Sequence, residues 1–421
     1  MTGTSSRCTD PQGRFRHRRI RTLQLIGVSA LALAGTSAAV VDAQATGGGG
    51  GTAVYWMTAE TVSGMGSMTG AGGNRGMSMG ALMGMSRGGQ SSYSHNLQLQ
   101  LGSGRRAPGE PSAEHVPPAG LQVGPSLPLV TPRSAPMQST PYAMEKPKGR
   151  LLIYWGCGDR VRPGQPVVLD YAAMSAGKMP PAFASFRSLS GPGPGKNATY
   201  GEWPNPRSDQ RVPASGSLVG EHVVRGNYTP EIRFTLSSGQ DFLAPVVVSG
   251  NEAGPGGAIP LGWNPVSGAK AWFVSTMGAA RNGDMILWSS SESQAMPMAM
   301  GQISPDEIAR LVQTKVLLPP SATRCTVPAE VARAAESAML MTTAFGGEAN
   351  FSHPSRPPKA PASWRPDWTA KLLTKSTYSG ILGMDMAAMM GDSRDSQDEP
   401  RSPPNKKKRG PLGGLGDLLG Q

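Results

Sequence analysis

Two short apolar runs joined by an Asn–Gly turn constrain the fold of this chain more than any other stretch. Residues 271–274 and 285–288 are apolar and rich in aromatic side chains, and Asn282 and Gly283 lie between them. Both turn residues tolerate positive φ angles, which is what a tight β-hairpin turn requires. Residues 257–293 therefore predict three strands joined by turns, the first of them before a Pro/Gly turn.

Alternation of apolar and polar residues predicts further strands on both sides of this hairpin. A half-buried strand exposes every second side chain, and the stretch with Leu97, Leu99 and Leu101 has this pattern. The predicted strands outside the hairpin cover residues 52–57, 93–101, 150–155, 167–171, 228–236, 243–248 and 368–382. The chain is therefore predicted to be mainly β.

Two short helices are predicted after the hairpin. Ser304 as N-cap, Pro305 at the first helical position and Glu307 two residues later form a helix-start signal. This helix is expected to end near residue 314, and a second helix is expected over residues 328–338. The stretch 339–345 fits either a continuation of the second helix or a strand.

Long loops and tails separate the predicted strands. The 56 Gly and 39 Pro make up close to a quarter of the 421 residues, about twice the usual share. Ordered cores must therefore alternate with segments that cannot bury apolar surface. Such segments are predicted at residues 66–89, 102–148, 180–216, 354–366 and 391–421.

The first 45 residues have the three parts of a secretory signal peptide. Five Arg lie between residues 14 and 21, residues 23–41 are apolar or small and uncharged, and Ala43 and Ala45 fit the signal peptidase site. We expect cleavage after Ala45, and the composition of the leader is typical of bacteria. The chain is therefore predicted to be periplasmic or secreted in a Gram-negative cell envelope, with no transmembrane segment after cleavage; a retained membrane anchor is the alternative.

The net charge does not indicate a nucleic-acid partner. The chain carries +12, but the leader contributes six Arg and two Asp. The remaining basic residues are scattered except for those at positions 406–409. Scattered charge is typical of a solvated surface, so no nucleic-acid binding is predicted.

Two cysteines remain after the leader is removed. Cys8 leaves with the leader, and Cys157 and Cys325 form an even pair in an oxidising compartment. We therefore predict a Cys157–Cys325 disulfide. Two buried free thiols are the alternative.

A weak internal match suggests two related β units. Residues 93–104 align without a gap with residues 228–239, and residues 151–155 match 284–288 as apolar strands that end in Trp. Duplication of one unit and chance likeness of amphipathic strands both remain open. The predicted organisation is a signal peptide (1–45), a first β unit (46–175), a second β unit with the helices (176–345), a C-terminal arm (346–390) and a disordered charged tail (391–421).

Residues 261–274 resemble part of a fibronectin type III or, more broadly, an immunoglobulin-like module. Trp263 lies on one strand, a Pro/Gly turn follows, and the next strand carries aromatic side chains. The resemblance implies a two-sheet β-sandwich. Modules of this kind mostly serve as binding modules or as spacers, and they have no catalytic residues in common. Within it, Trp263, Trp272 and Trp288 are expected to anchor the core.

No motif in the sequence predicts catalysis. The histidines occur singly, at a spacing that fits neither a zinc site nor a haem site; they are His17, His95, His115, His222 and His353. Glu114–His115 and Glu221–His222 are adjacent pairs, and adjacent residues of a strand point to opposite faces. We therefore predict no catalytic or cofactor-binding residues.

Methionine is the residue type with potential chemistry. Thioethers are soft ligands that suit Cu(I), and flexible Met side chains also serve as adaptable apolar contact surface. The candidate metal ligands are Met65, Met68, Met77, Met79, Met83 and Met85, and further clusters occur at residues 296–300 and 384–390. No other cofactor is predicted.

These features favour an exported, non-enzymatic envelope protein with a structural or protein-binding role. Other envelope proteins are its expected partners. Two alternatives remain: a periplasmic Cu(I)-binding protein that uses the Met-rich segments, and an enzyme without a recognisable motif.

Overall fold

The computed structural model describes residues 52–69, 93–132, 149–175, 197–294 and 303–384. Within them the chain is mainly β, as its sequence predicts, with sixteen strands in three sheets. The strands are β1 (Ala53–Gly64), β2 (Tyr93–Ser103), β3 (Ala113–Val116), β4 (Leu127–Leu129), β5 (Arg150–Trp155), β6 (Val167–Asp170), β7 (Thr199–Trp203), β8 (Gly220–Gly226), β9 (Ile232–Leu236), β10 (Val248–Ser249), β11 (Ile259–Trp263), β12 (Ala271–Ala279), β13 (Met285–Ser289), β14 (Arg324–Val327), β15 (Ser337–His353) and β16 (Trp368–Ile381).

The helices in this part of the chain are short. They are α1 (Met65–Thr69), α2 (Tyr171–Ser175), α3 (Pro305–Gln313) and α4 (Ala329–Ala334), and a 3-10 turn covers Ala119–Leu121. None of the helices within the described ranges is long and apolar enough to cross a membrane. The predicted leader, the Met-rich segment 70–92 and the charged tail lie outside the described residues.

The largest sheet has nine strands, which come from all along the described part of the chain. Its strand order is β6-β5-β13-β12-β15-β16-β1-β2-β7, and the pairs β5–β13 and β1–β16 are parallel. A four-stranded sheet has the order β4-β3-β8-β9, and a three-stranded sheet has the order β10-β11-β14. The nine-stranded sheet contains strands from both predicted β units, because β5 pairs with β13 in register.

Both smaller sheets pack on the same face of the nine-stranded sheet. Alternate residues of β16 point to this face. Among them, Leu372 belongs to the core beneath the four-stranded sheet and Tyr378 to the core beneath the three-stranded sheet. The first core lies beneath the four-stranded sheet and contains side chains of β1, β2, β3, β8 and β9. The second core lies beneath the three-stranded sheet and contains Trp263, Trp272 and Trp288. These three indoles are buried, as the sequence predicts.

The predicted hairpin is present. β12 and β13 pair antiparallel, and the Gly283 N–H closes the turn by donating to the Ala280 carbonyl over 3.0 Å. Gly283 has a φ of 83°, the left-handed conformation that glycine adopts at low cost. The strand predicted before the hairpin also forms, as β11, but it pairs with β10 and β14 in the three-stranded sheet.

The predicted helix start at Ser304 is confirmed. The Ser304 side chain accepts a hydrogen bond from the Glu307 N–H, and Pro305 is the first residue of α3. Ile308 and Leu311 are buried and pack with Phe273 on the face of the nine-stranded sheet that is opposite to the two cores. The second predicted helix is too long: α4 ends at Ala334, because Ser337 already pairs with Ala279 as the first residue of β15.

The strand predicted at residues 243–248 is mostly wrong. Only β10 is a strand there, and the carbonyls of Leu243 and Val246 accept hydrogen bonds from the hydroxyls of Thr61 and Ser63, each over 2.6 Å. These bonds tie the connection between the two smaller sheets to β1. The loops predicted at 102–148 and 180–216 also contain short strands, β3 and β4 in the first and β7 in the second.

The cysteines are at disulfide distance, as predicted. The sulfur atoms of Cys157 and Cys325 lie 2.12 Å apart, and their Cα atoms lie 5.3 Å apart. Cys157 follows β5 of the nine-stranded sheet, and Cys325 lies on β14 of the three-stranded sheet. The bond therefore joins the two sheets that enclose the second core.

Candidate functional site

Three fully buried titratable side chains meet in the first core. Tyr55 on β1, His115 on β3 and His222 on β8 are all buried there, with no exposed surface. Strand alternation sends His115 inward beside Ala113, while Glu114 between them is only partly buried. We name these three residues the Tyr–His chain.

The hydrogen bonds of the Tyr–His chain run in one direction. A neutral imidazole has one N–H and one acceptor nitrogen. His222 Nε2 lies 2.7 Å from the Leu218 carbonyl oxygen, so it is the donor and His222 Nδ1 is the acceptor. His115 Nε2 therefore donates to His222 Nδ1 over 3.2 Å. His115 Nδ1 accepts the Tyr55 hydroxyl proton over 2.8 Å, so each ring nitrogen has a partner.

Burial keeps all three groups neutral near pH 7. Loss of hydration lowers the pKa of His115 well below its ordinary value, and the neighbouring His222 lowers it further. Burial also lowers the pKa of His222, although the Leu218 carbonyl and the Asp241 charge act in the opposite direction. For Tyr55, burial raises the pKa well above its ordinary value.

Aromatic rings enclose the Tyr–His chain. The Tyr55 and His115 rings stack with centroids 5.6 Å apart, and His222 stacks on Phe234 at 5.2 Å with 5° between the planes. Phe234 in turn contacts Phe351 from β15. Each imidazole is therefore stacked on one aromatic ring, and these apolar contacts add to the burial that disfavours the charged forms.

Asp241 holds the loop at the end of the Tyr–His chain. Its Oδ2 accepts the Ser217 hydroxyl over 2.6 Å, and its Oδ1 accepts the N–H groups of Leu218 and Phe242, each over 2.8 Å. The carboxylate thereby fixes Leu218, whose carbonyl accepts the hydrogen bond from His222 Nε2–H. Ser217 is bonded directly to the carboxylate, which is not the serine–histidine–carboxylate order of a nucleophilic triad.

A third histidine lies near the same carboxylate. His95 on β2 stacks on Phe242 with ring centroids 3.9 Å apart and is 8% exposed. Burial lowers its pKa, and the Asp241 charge acts in the opposite direction. The sequence placed these histidines far apart, and only the pairing of β3 with β8 brings His115 and His222 together.

The methionines predicted as metal ligands lie only partly within the described residues. Met65 and Met68 lie in α1, whereas Met77, Met79, Met83 and Met85 lie outside the described residues. Over the described ranges, no group of three or more His, Cys, Asp or Glu side chains is arranged to hold a metal ion. His353 is exposed, and its ring stacks with Trp368.

Two shallow hollows lie on either side of the glycine-rich loop 254–257. The first, of about 320 Å³, is lined by residues that include Asp159 and Arg160. The second, of about 260 Å³, is lined by residues that include Arg333 and Glu336. Neither hollow is lined by a residue of the Tyr–His chain. The most perturbed ionisable groups and the open surface hollows are thus in different places.

Comparison of the chain with family models, with characterised proteins and with solved structures gave no match. The function must therefore be argued from the residues themselves.

Proposed function

We propose that this chain is an exported, non-enzymatic protein of the cell envelope with a structural or protein-binding role. One observation carries the proposal: the nine-stranded sheet forms one side of both cores. β15 contributes Leu340 and Ala344 to the second core and Ala349 to the first. β16 likewise contributes Leu372 to the first core and Tyr378 to the second. Because these strands continue from one core into the other, no hinge separates the half of the protein around the first core from the half around the second. We therefore infer a spacer or a rigid binding body.

The position of the Tyr–His chain also supports a non-enzymatic role. A catalytic acid or base must reach the substrate within hydrogen-bond distance. The rings of Tyr55, His115 and His222 are buried without exposed surface, and their hydrogen bonds end at a backbone carbonyl. Such a fully bonded network is typical of a core that fixes strand register. Turnover of an ester, peptide or glycan substrate by the purified protein would overturn this part of the proposal.

The immunoglobulin-like interpretation and the duplication are part of the proposal. Each half has a small antiparallel sheet packed face to face on the large sheet, as in β-sandwiches. The matched segments 93–104 and 228–239 contain one strand each, β2 and β9. Both strands belong to the first core but to different sheets. The packing of the sheets therefore supports the sandwich interpretation, and the duplication rests on the sequence match alone.

A single unfolding transition is the expected test of the rigid body. The variants Leu99→Ala in the first core and Val274→Ala in the second each remove a fully buried side chain. Because the halves share β15 and β16, both variants should lower the midpoint of the same calorimetric transition in the mature chain. Near-UV circular dichroism should follow the same curve. Two separate transitions, each shifted by only one of the variants, would contradict the proposal.

Processing of the leader is the expected test of export. The full-length chain with a C-terminal tag, expressed in a Gram-negative host, should be recovered from the periplasm with Thr46 as its first residue. Intact mass and N-terminal sequencing measure this. The variant Ala45→Arg is the control, because a large charged residue at the cleavage position should block processing. Unprocessed wild-type chain in the cytoplasm would contradict export without bearing on the single unfolding transition.

A further inference from the structure

Three methionines form an exposed patch on the face of the nine-stranded sheet that is opposite to the two cores. Met277 lies on β12, and Met339 and Met341 lie on the adjacent strand β15. They are 41%, 52% and 39% exposed, and they account for three of the seven large apolar side chains that are exposed in the described residues. We name these residues the Met triad.

The strand register brings the Met triad together. Met277 and Met339 are directly paired across the antiparallel strands, and Met341 pairs with Ser275. Directly paired residues have Cβ atoms about 5 Å apart, and residues two apart on one strand are separated by about 7 Å. A Met side chain has three rotatable bonds, so the three sulfur atoms can meet above the sheet.

The direct strand partners of the Met triad are uncharged. The strand partners on the same face are Leu287 beside Met277, Ile381 beside Met339, and Ser379 beside Met341. Hard cations such as Mg²⁺ and Ca²⁺ need carboxylate or carbonyl ligands, which this face does not present among these neighbours. Thioether sulfur instead favours soft metal ions, Cu(I) above all.

We propose that Met277, Met339 and Met341 form a binding site for a soft monovalent metal ion, Cu(I) or its analogue Ag(I). The proposal does not depend on the Met-rich segment 65–85. The disulfide contributes to its specificity, because Cys157 and Cys325 are bonded to each other and present no competing thiolate.

Ag(I) titration of the mature chain tests the site. Ag(I) is the probe because it is soft like Cu(I) and does not change oxidation state during the titration. Competition with a chromophoric chelator measures affinity, and the methyl resonances of ¹³C-methyl methionine report which side chains bind. We expect the Met triad signals to shift first and together. Met341→Leu alone should weaken the tightest site by at least about tenfold, since loss of one ligand exceeds the usual effect of an outer-shell change.

Two variants with several substitutions each distinguish the Met triad from the Met-rich segment 65–85. In M277L/M339L/M341L the tightest site should disappear, while the swap of Met for Leu conserves volume, and an unchanged unfolding midpoint confirms the fold. The matched control is M65L/M68L/M77L/M79L/M83L/M85L, which should keep wild-type affinity at that site. The proposal is overturned if the triad variant binds Ag(I) like wild type, if only the control variant loses binding, or if the wild-type chain does not bind Ag(I).

Discussion

Replacing both cysteines with alanine, C157A/C325A, is expected to lower the free energy of unfolding by about 3–5 kcal/mol. The bond closes a loop of 168 residues, so its loss greatly increases the freedom of the unfolded chain. The bond also joins β14 to the segment after β5, and Cys325 is packed among the side chains of the second core. Urea denaturation of the mature variant and of wild type measures the change. Each curve is extrapolated with its own slope, because the unfolded chain without the crosslink is more expanded.

Reduction of the wild-type disulfide is the control for this variant. Reduction breaks the crosslink but leaves both sulfur atoms in place, whereas alanine also leaves a small cavity beside the 5% exposed Cys325. The reduced wild type should therefore lose most, but not all, of what the variant loses. A loss below about 1 kcal/mol in both samples would contradict a stabilising crosslink.

Local signals in the sequence predicted the parts of the fold that depend on neighbouring residues. The turn at Gly283, the cap at Ser304 and the strand that begins at Trp368 each follow from a few adjacent residues, and each is present. The nine-stranded sheet did not follow from such signals. Its parallel pair β1–β16 brings Ala53 beside Trp368, and no local pattern records a partner that distant.

The errors have the same physical origin. The second helix was predicted to run on to residue 338, but pairing of Ser337 with Ala279 starts β15 instead; sheet pairing outweighed helix propensity. β5 and β13 are likewise far apart in the chain and are paired neighbours in the same sheet. Where a segment's partner is far away in the chain, the sequence alone did not show which element it would join.

Neither the Tyr–His chain nor the Met triad followed from the sequence. His115 lies in a segment that the sequence predicts to be a loop, and its contact with His222 depends on the β3–β8 register. Methionine clusters were identified by close spacing in sequence, whereas the Met triad joins residues of two strands through the β12–β15 register. Sites assembled from different strands become visible only when the strand order is known.

Lowering the pH from 7 to 5 is expected to destabilise the protein steeply, because His115 and His222 are buried and neutral. Both have a folded-state pKa below the ordinary value, so below about pH 6.5 the unfolded chain binds protons that the folded chain does not. The free energy of unfolding should then fall with decreasing pH by about 1.4 kcal/mol per pH unit for each imidazole, until the folded-state pKa is reached. The lowered pKa of His95 acts in the same direction.

The pH slope, rather than the absolute stability, identifies the residues responsible. The variant H115F/H222F should lose stability at pH 7, since Tyr55 and the Leu218 carbonyl lose their partners, but its stability should depend less on pH than that of wild type. His353→Gln is the matched control at an exposed histidine and should keep the wild-type slope. If the double variant does not fold, the prediction is tested by the pH dependence of the imidazole NMR signals of the wild type. Signals of His115 and His222 that titrate near pH 6.5 would contradict the prediction, because a histidine that protonates freely in the folded state cannot link acid to unfolding.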